Sequence, residues 1–125
     1  MTDEYPETTQ LESGDLARLI IDLISDRKGE NMLMMDLRQV SIIADYFVIA
    51  SANSDRQLGA ITEHVRDEVK KQTRAVPLRV EGRGESGWIL MDYGDVIVHL
   101  FLPQTRAYYD LEGLWREAPV VLRMQ

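Results

Sequence analysis

Two spacings of apolar residues divide the chain into helices and strands. Leu16, Leu19, Ile20, Leu23 and Ile24 fall at i, i+3, i+4, i+7 and i+8, the stripe of an amphipathic helix, with Ser13 or Asp15 near its start and Gly29 after it. Residues 32 to 37 form a short apolar run that closes on Asp36-Leu37-Arg38 and reads as a strand. Residues 46 to 50 are nearly continuous in aromatic and β-branched side chains, as expected of a strand buried on both faces. Ser54, followed three residues later by Gln57, makes a capping box, and Leu58, Ile61, Val65 and Val69 then mark one face of a long helix. Pro77 forbids its continuation, and LRVEG begins a third strand. The stretch EGRGESG, residues 81 to 87, is a turn-rich connection.

Residues 88 to 99, WILMDYGDVIVH, are two apolar runs around a turn and predict a hairpin. A turn centred on Tyr93-Gly94 sets Asp92 opposite Asp95, Met91 opposite Val96, Leu90 opposite Ile97 and Trp88 opposite His99. One face then carries Ile89, Met91, Val96, Val98 and Leu100, wholly apolar and suited to packing under helices. The other carries Trp88, Leu90, Asp92, Asp95, Ile97 and His99: a large aromatic, aliphatics and an acidic rim, the make-up of a protein-binding patch. After Pro103, YYDLEGLW predicts a short terminal helix or turn.

The expected order is helix, strand, strand, helix, three strands and a short helix. It implies an α/β fold of the α+β type, a mixed sheet with helices mainly on one face, and a right-handed crossover from the Tyr46 strand to the Leu78 strand. A chain of 125 residues is expected to form one domain: residues 13 to 120, with an acidic, flexible tail over residues 1 to 12 and a second tail over residues 121 to 125.

Composition narrows the chemistry. There is no Cys, so disulfides, thiolate zinc sites and a Cys nucleophile are excluded. The start, MTDEYPETTQ, lacks the basic and apolar parts of a signal peptide, and no apolar run reaches the roughly 18 residues of a membrane span, so a cytoplasmic protein without a membrane partner is expected. A net charge of −7 argues against DNA or any partner that is mainly phosphate backbone, and favours a basic protein surface.

Asp36, Asp45, Asp92 and Asp95 lie at strand ends or turns, where catalytic acids occur but where Asp also bonds nearby backbone. A nucleotidyltransferase carries a Gly-Ser loop after a strand and two acids one residue apart to hold Mg²⁺. SANSDRQ occupies the loop position without Gly-Ser, and Asp92 and Asp95 are three apart across a turn. The layout is alike and the chemistry is missing. His64 lies among charged residues, and His99 lacks a nucleophile partner. No phosphate loop, HExxH or GxSxG is present, and neither metal nor cofactor is expected. Trp88 suits either a core position or a contact anchor. Arg106, Tyr108, Tyr109 and Trp115 either extend that surface or cover the sheet edge.

DLRQVS at 36 to 41, ADYFVIASANSDRQ at 44 to 57, EG at 81 and 82, GWILMDYGDVIVH at 87 to 99 and RAYYDLEGLW at 106 to 115 together resemble the ribosomal silencing factor (RsfS, or Iojap) family. The likeness covers about residues 14 to 120, and five blocks in order and spacing make it specific. Ala52 stands where the family often has Gly. The resemblance implies a nucleotidyltransferase-like layout without catalytic residues, and no enzymatic activity. It implies binding to the large ribosomal subunit through ribosomal protein L-fourteen, a steric block to subunit joining that represses translation under nutrient limitation, and self-association as a homodimer. On that reading Trp88 and Leu90 anchor the partner, Asp92 and Asp95 meet its basic side chains, and Tyr93 and His99 complete the patch. The matched blocks also bring in Asp45, Tyr46 and Arg56 as supporting residues near the same sheet end. The rival reading is a metal-dependent nucleotidyltransferase using Asp92, Asp95 and Asp36; a third is a free homodimer regulating another assembly.

Overall fold

The computed structural model describes residues 11 to 125. The expected N-terminal tail falls mostly outside these residues. The first helix, α1 (Ser13–Asp26), buries Ala17, Ile20, Ile21, Leu23 and Ile24. It ends in a Schellman-type closure: Gly29 N–H donates to the Ile24 carbonyl (3.0 Å) and Lys28 N–H to that of Ser25 (2.9 Å). Lys28 takes the left-handed conformation (φ 67°), one residue before the expected stop. Gly29 is needed for a different reason, because a Cβ there would run into the Ile24 side chain.

The chain continues through β1 (Glu30–Asp36) and β2 (Tyr46–Ser51) to the long helix α2 (Asp55–Thr73). Ser54 caps α2 by accepting from Gln57 N–H at 3.1 Å. Gln57 departs from the reciprocal box. Its Oε1 accepts from Asn53 N–H (2.7 Å), and its Nε2 donates to the carbonyls of Arg27 and Lys28 (3.2 and 2.9 Å). One side chain thus ties the end of α1 to the start of α2. The helix buries Leu58, Ile61, Val65 and Val69 as its stripe requires. It stops at Thr73, ahead of Pro77, with Arg74 left-handed.

Then follow β3 (Arg79–Glu81), a 3-10 turn (Gly84–Ser86), β4 (Trp88–Asp92), β5 (Val96–Phe101), α3 (Pro103–Tyr109), α4 (Leu111–Leu114) and β6 (Val120–Met124). They complete one mixed sheet of six strands in the order β3-β4-β5-β2-β1-β6, with β2 and β5 parallel. The fold is α+β. The strand after α2 does not sit beside β2; the β4–β5 hairpin folds back so that β5 takes that place, leaving β3 at the edge.

Two expectations are corrected. Residues 121 to 125 are not a tail: β6 pairs antiparallel with β1. Its ladder skips Val121 between Val120 and Leu122, a bulge on an exposed edge. The hairpin register differs as well. Trp88 pairs with Phe101, Leu90 with His99 and Asp92 with Ile97, and Tyr93 N–H donates to the Val96 carbonyl (2.9 Å). The turn is therefore centred on Gly94-Asp95, where Gly94 takes a positive φ (91°) that other residues rarely adopt. Pair partners shift by two, an even number, so the division of side chains between faces is unchanged.

The two faces are covered differently. Helices α1 and α2 lie over Met32, Met34, Val48, Ala50, Ile89, Met91, Val96, Val98 and Leu100. On the opposite face, Leu111 of α4 with Ala118 and Trp115 covers Leu33, Met35, Phe47, Ile49 and Phe101. This second layer explains why β2 is buried along its whole length.

Candidate functional site

The α3–α4 segment covers only part of its face. Trp88, Ile97 and Trp115 are partly buried at the margin of that core. The Trp88 ring sits 5.0 Å from Phe101 and 4.8 Å from Tyr109, and Tyr109 sits 5.0 Å from Tyr108. Tyr108 and Tyr109 are 82% and 51% exposed, so the three aromatics form a ridge that rises from the core into solvent. Beside it lies a shallow cleft of about 230 Å³ lined by Glu81, Gly82, Trp88 and Leu90. Gly82 (φ 91°) is required there, since a Cβ would strike the Trp88 carbonyl oxygen.

His99 does not belong to the exposed surface. It is 4% exposed, with Phe47 at 4.7 Å edge-on and the Trp88 ring at 5.9 Å. Trp88 Nε1–H donates to His99 Nδ1 at 3.2 Å. An indole nitrogen can only donate, so Nδ1 is the acceptor and the proton of the neutral imidazole is on Nε2. Burial pushes the His99 pKa down to about 4, which keeps the ring neutral. Nε2 has no hydrogen-bond partner among the described residues.

Tyr93 also departs from the expected patch. It turns to the other face and packs on the helix-covered core. Its hydroxyl is buried without a partner among the described residues, and burial, against an opposing effect of Arg66, pushes its pKa up to about 12. Of the two rim acids, Asp92 is already committed. Its Oδ1 accepts from Gly94 N–H (2.8 Å) and its Oδ2 faces Arg79 Nε at 3.4 Å. Asp95 is exposed at the hairpin tip, and its carbonyl accepts from the N–H groups of Asp45 and Tyr46 at 2.8 and 3.1 Å.

The supporting residues separate. Asp45 and Tyr46 stand at the hairpin-tip end of β2: Asp45 Oδ2 accepts from Ser13 Oγ (2.7 Å), and the Arg38 guanidinium lies 5.2 Å from the Tyr46 ring centre. Arg56 is in the first turn of α2, beyond the opposite end of β2, and does not join them. Nor do the acids converge on a metal. Asp36 is held by Arg38 through both side-chain oxygens (3.0 and 2.8 Å), a pairing that lowers its pKa. No group of three His, Asp or Glu able to hold an ion occurs among the described residues. Among them, too, no helix is long and apolar enough to cross a membrane.

Arg106 is a clamp rather than a surface residue. Its Nε and Nη2 donate to Glu112 Oε2 (3.0 and 2.8 Å), and its Nη1 donates to the Asn31 carbonyl and Ser51 Oγ (2.8 Å each). It thereby fixes α3 and α4 to the ends of β1 and β2. Sequence reasoning missed Ile42 and Ile43, 104% and 53% exposed, and Leu114, 74% exposed. The available signal was an apolar pair in a turn, where polar residues are expected.

The family model for ribosomal silencing factor during starvation, RsfS, matches residues 10 to 125. The chain is 41% identical over 95 residues to ribosomal silencing factor RsfS of Bacillus subtilis, covering 76% of this chain and 80% of that protein. It is 37% identical over 107 residues to that of Halalkalibacterium halodurans, covering 86% and 91%. A crystal structure of a Chromobacterium violaceum protein superposes with a TM-score of 0.80 at 29% identity, over 90% of this chain and 94% of that one. With the model matched over nearly its whole length, the chain belongs to the RsfS family of ribosomal silencing factors, which are not enzymes.

Proposed function

We propose that this protein silences translation in the cytoplasm by occlusion: it docks on the large ribosomal subunit through ribosomal protein L-fourteen and blocks joining of the small subunit when nutrients are limiting. The observation that carries the reading is the Trp88–Tyr109–Tyr108 ridge beside the Leu90 cleft, the half-open part of an otherwise covered face. Aromatic anchors next to a small pocket are what interface hot spots are made of. Trp88 and Leu90 are the anchors, and Asp95 is the rim acid free to meet Lys or Arg. Asp92 holds the turn and His99 acts from beneath, while Tyr93, packed on the helix-covered face, has no part in this contact. Asp45 and Tyr46 secure the hairpin tip; Arg56 has no part in this contact. A net charge of −7 suits a basic partner surface. Self-association as a homodimer belongs to the same proposal, and use of the same ridge would make it compete with the ribosome.

The rival, nucleotidyl transfer by Asp92, Asp95 and Asp36, is disfavoured by the commitment of Asp36 to Arg38 and of Asp92 to Gly94 and Arg79. Co-sedimentation with separated ribosomal subunits tests the proposal. The expected result is binding to the large subunit alone, lost in folded Trp88→Ala. Binding to neither, or equal binding by the variant, overturns it.

A further inference from the structure

Within the reading just given, on which this inference rests, the Trp88 indole meets the partner from a defined pose. The structure points to what defines that pose. Trp88 lies at the margin of the core, with the open cleft on one side and, among the described residues, Tyr109 and Phe101 as ring neighbours besides His99. Packing against Phe101 and Tyr109 is non-directional and leaves the indole N–H without a set partner. The ring's one directional restraint among the described residues is the hydrogen bond from Nε1–H to His99 Nδ1.

His99 is an unfavourable residue to bury for stability alone. It stands among Phe47, Trp88 and Phe101, its strand neighbours on that face are apolar or aromatic, and its Nε2–H is left without an acceptor among the described residues. A buried donor without a partner costs free energy that a Phe ring in the same space would not. The bond adds to the fold no more than one ordinary hydrogen bond, made by a residue that is itself only part-buried. What the bond does supply is orientation, and a preformed contact residue loses less freedom on binding.

We propose that His99 is a positioning residue that fixes the Trp88 indole for partner binding and touches no partner itself. Its tautomer is set by the bond, its ring is set by Phe47 and Phe101, and the indole is set by it in turn.

The test is His99→Phe, with Trp88→Phe and His99→Asn alongside. His99→Phe keeps the ring and removes the acceptor; Trp88→Phe removes the donor; the Asn carbonyl restores an acceptor near the Nδ1 position. In His99→Phe the Trp88 indole N–H, assigned by its absence in Trp88→Phe, should exchange faster with solvent and move towards the resonance of a free indole. The melting temperature should hold or rise. Affinity for isolated large ribosomal subunits should fall about fivefold, the scale of one ordinary hydrogen bond, and His99→Asn should recover most of it in its folded fraction. An indole signal unchanged in His99→Phe overturns the proposal. So does unaltered affinity with a freed indole. A fall in melting temperature common to His99→Phe and Trp88→Phe overturns it too, since the bond would then be holding the fold. If the wild type binds no subunits, the ribosomal reading fails separately, and the indole exchange still decides whether His99 orients Trp88.

Discussion

The two faces of the sheet are built to different standards. Under α1 and α2, the side chains of β4 and β5 are Ile89, Met91, Val96, Val98 and Leu100, each no more than 3% exposed. One residue over on the same strands, Trp88, Leu90, Ile97 and His99 form a face with a half-open cleft, an internal hydrogen bond and an unpartnered nitrogen. Both faces share the same backbone, so the difference lies in the side chains and in what covers them. The closed face holds the domain together. The half-open one gives up some packing and polar satisfaction to keep aromatic surface available.

That contrast can be broken from either side. The largest effect is expected on the closed face: Met91→Ala should cost about 3 kcal/mol of stability, read by urea denaturation, because the methylenes lost leave a cavity that α2 cannot collapse into. The folded fraction should bind large subunits as the wild type does.

A similar magnitude is expected from pH on the other face. The folded His99 pKa of about 4 is below the ordinary histidine value of 6.5. Below pH 6.5 the unfolded chain therefore takes up a proton that the folded chain refuses. Stability from this group is complete above pH 6.5 and declines as the pH falls towards 4, by about 3 kcal/mol in all. Denaturation midpoints at pH 7 and pH 5 should diverge more in the wild type than in His99→Phe. Equal divergence would assign the acid sensitivity to the carboxylates.

Next in size is the anchor. Trp88→Ala should weaken binding by about 2 kcal/mol, roughly 30-fold, while the variant stays folded. Unfolding instead would make Trp88 a core residue and dissolve the distinction between the faces. The smallest effect is expected of Asp95→Asn, which should change stability by less than about 0.5 kcal/mol and act mainly by slowing association and flattening its salt dependence.

Much of this organisation could be read from the chain because it is local. The α1 and α2 stripes, the Ser54 cap and the alternation along β4 and β5 each follow from spacings within a few residues. The turn position differs by one residue because Gly94 is compatible with either central site by sequence, and only the strand pairing places it at the first. Strand β6 escaped notice because five residues after Pro119 carry no turn partner nearby; their partner is β1, some 90 residues earlier. The site was legible as a face but not as a surface. Periodicity assigns Trp88 and His99 to the same side, yet only the docking of Leu111, Trp115 and Phe47 decides that one is half-open and the other 4% exposed. Whether Arg106 extends the surface or covers the sheet edge is open in the sequence for the same reason. Its place inside depends on Glu112, six residues on, and on the ends of two distant strands.

The central claim is that the half-open aromatic face, and not the helix-covered one, meets the ribosome. Hydrogen–deuterium exchange of the protein with and without isolated large ribosomal subunits addresses it directly. The account predicts added protection over β4 and over α3, around Trp88, Leu90, Tyr108 and Tyr109, with the exposed sides of α1 and α2 unchanged. Protection confined to α1 and α2, with β4 and α3 unaffected, would contradict it.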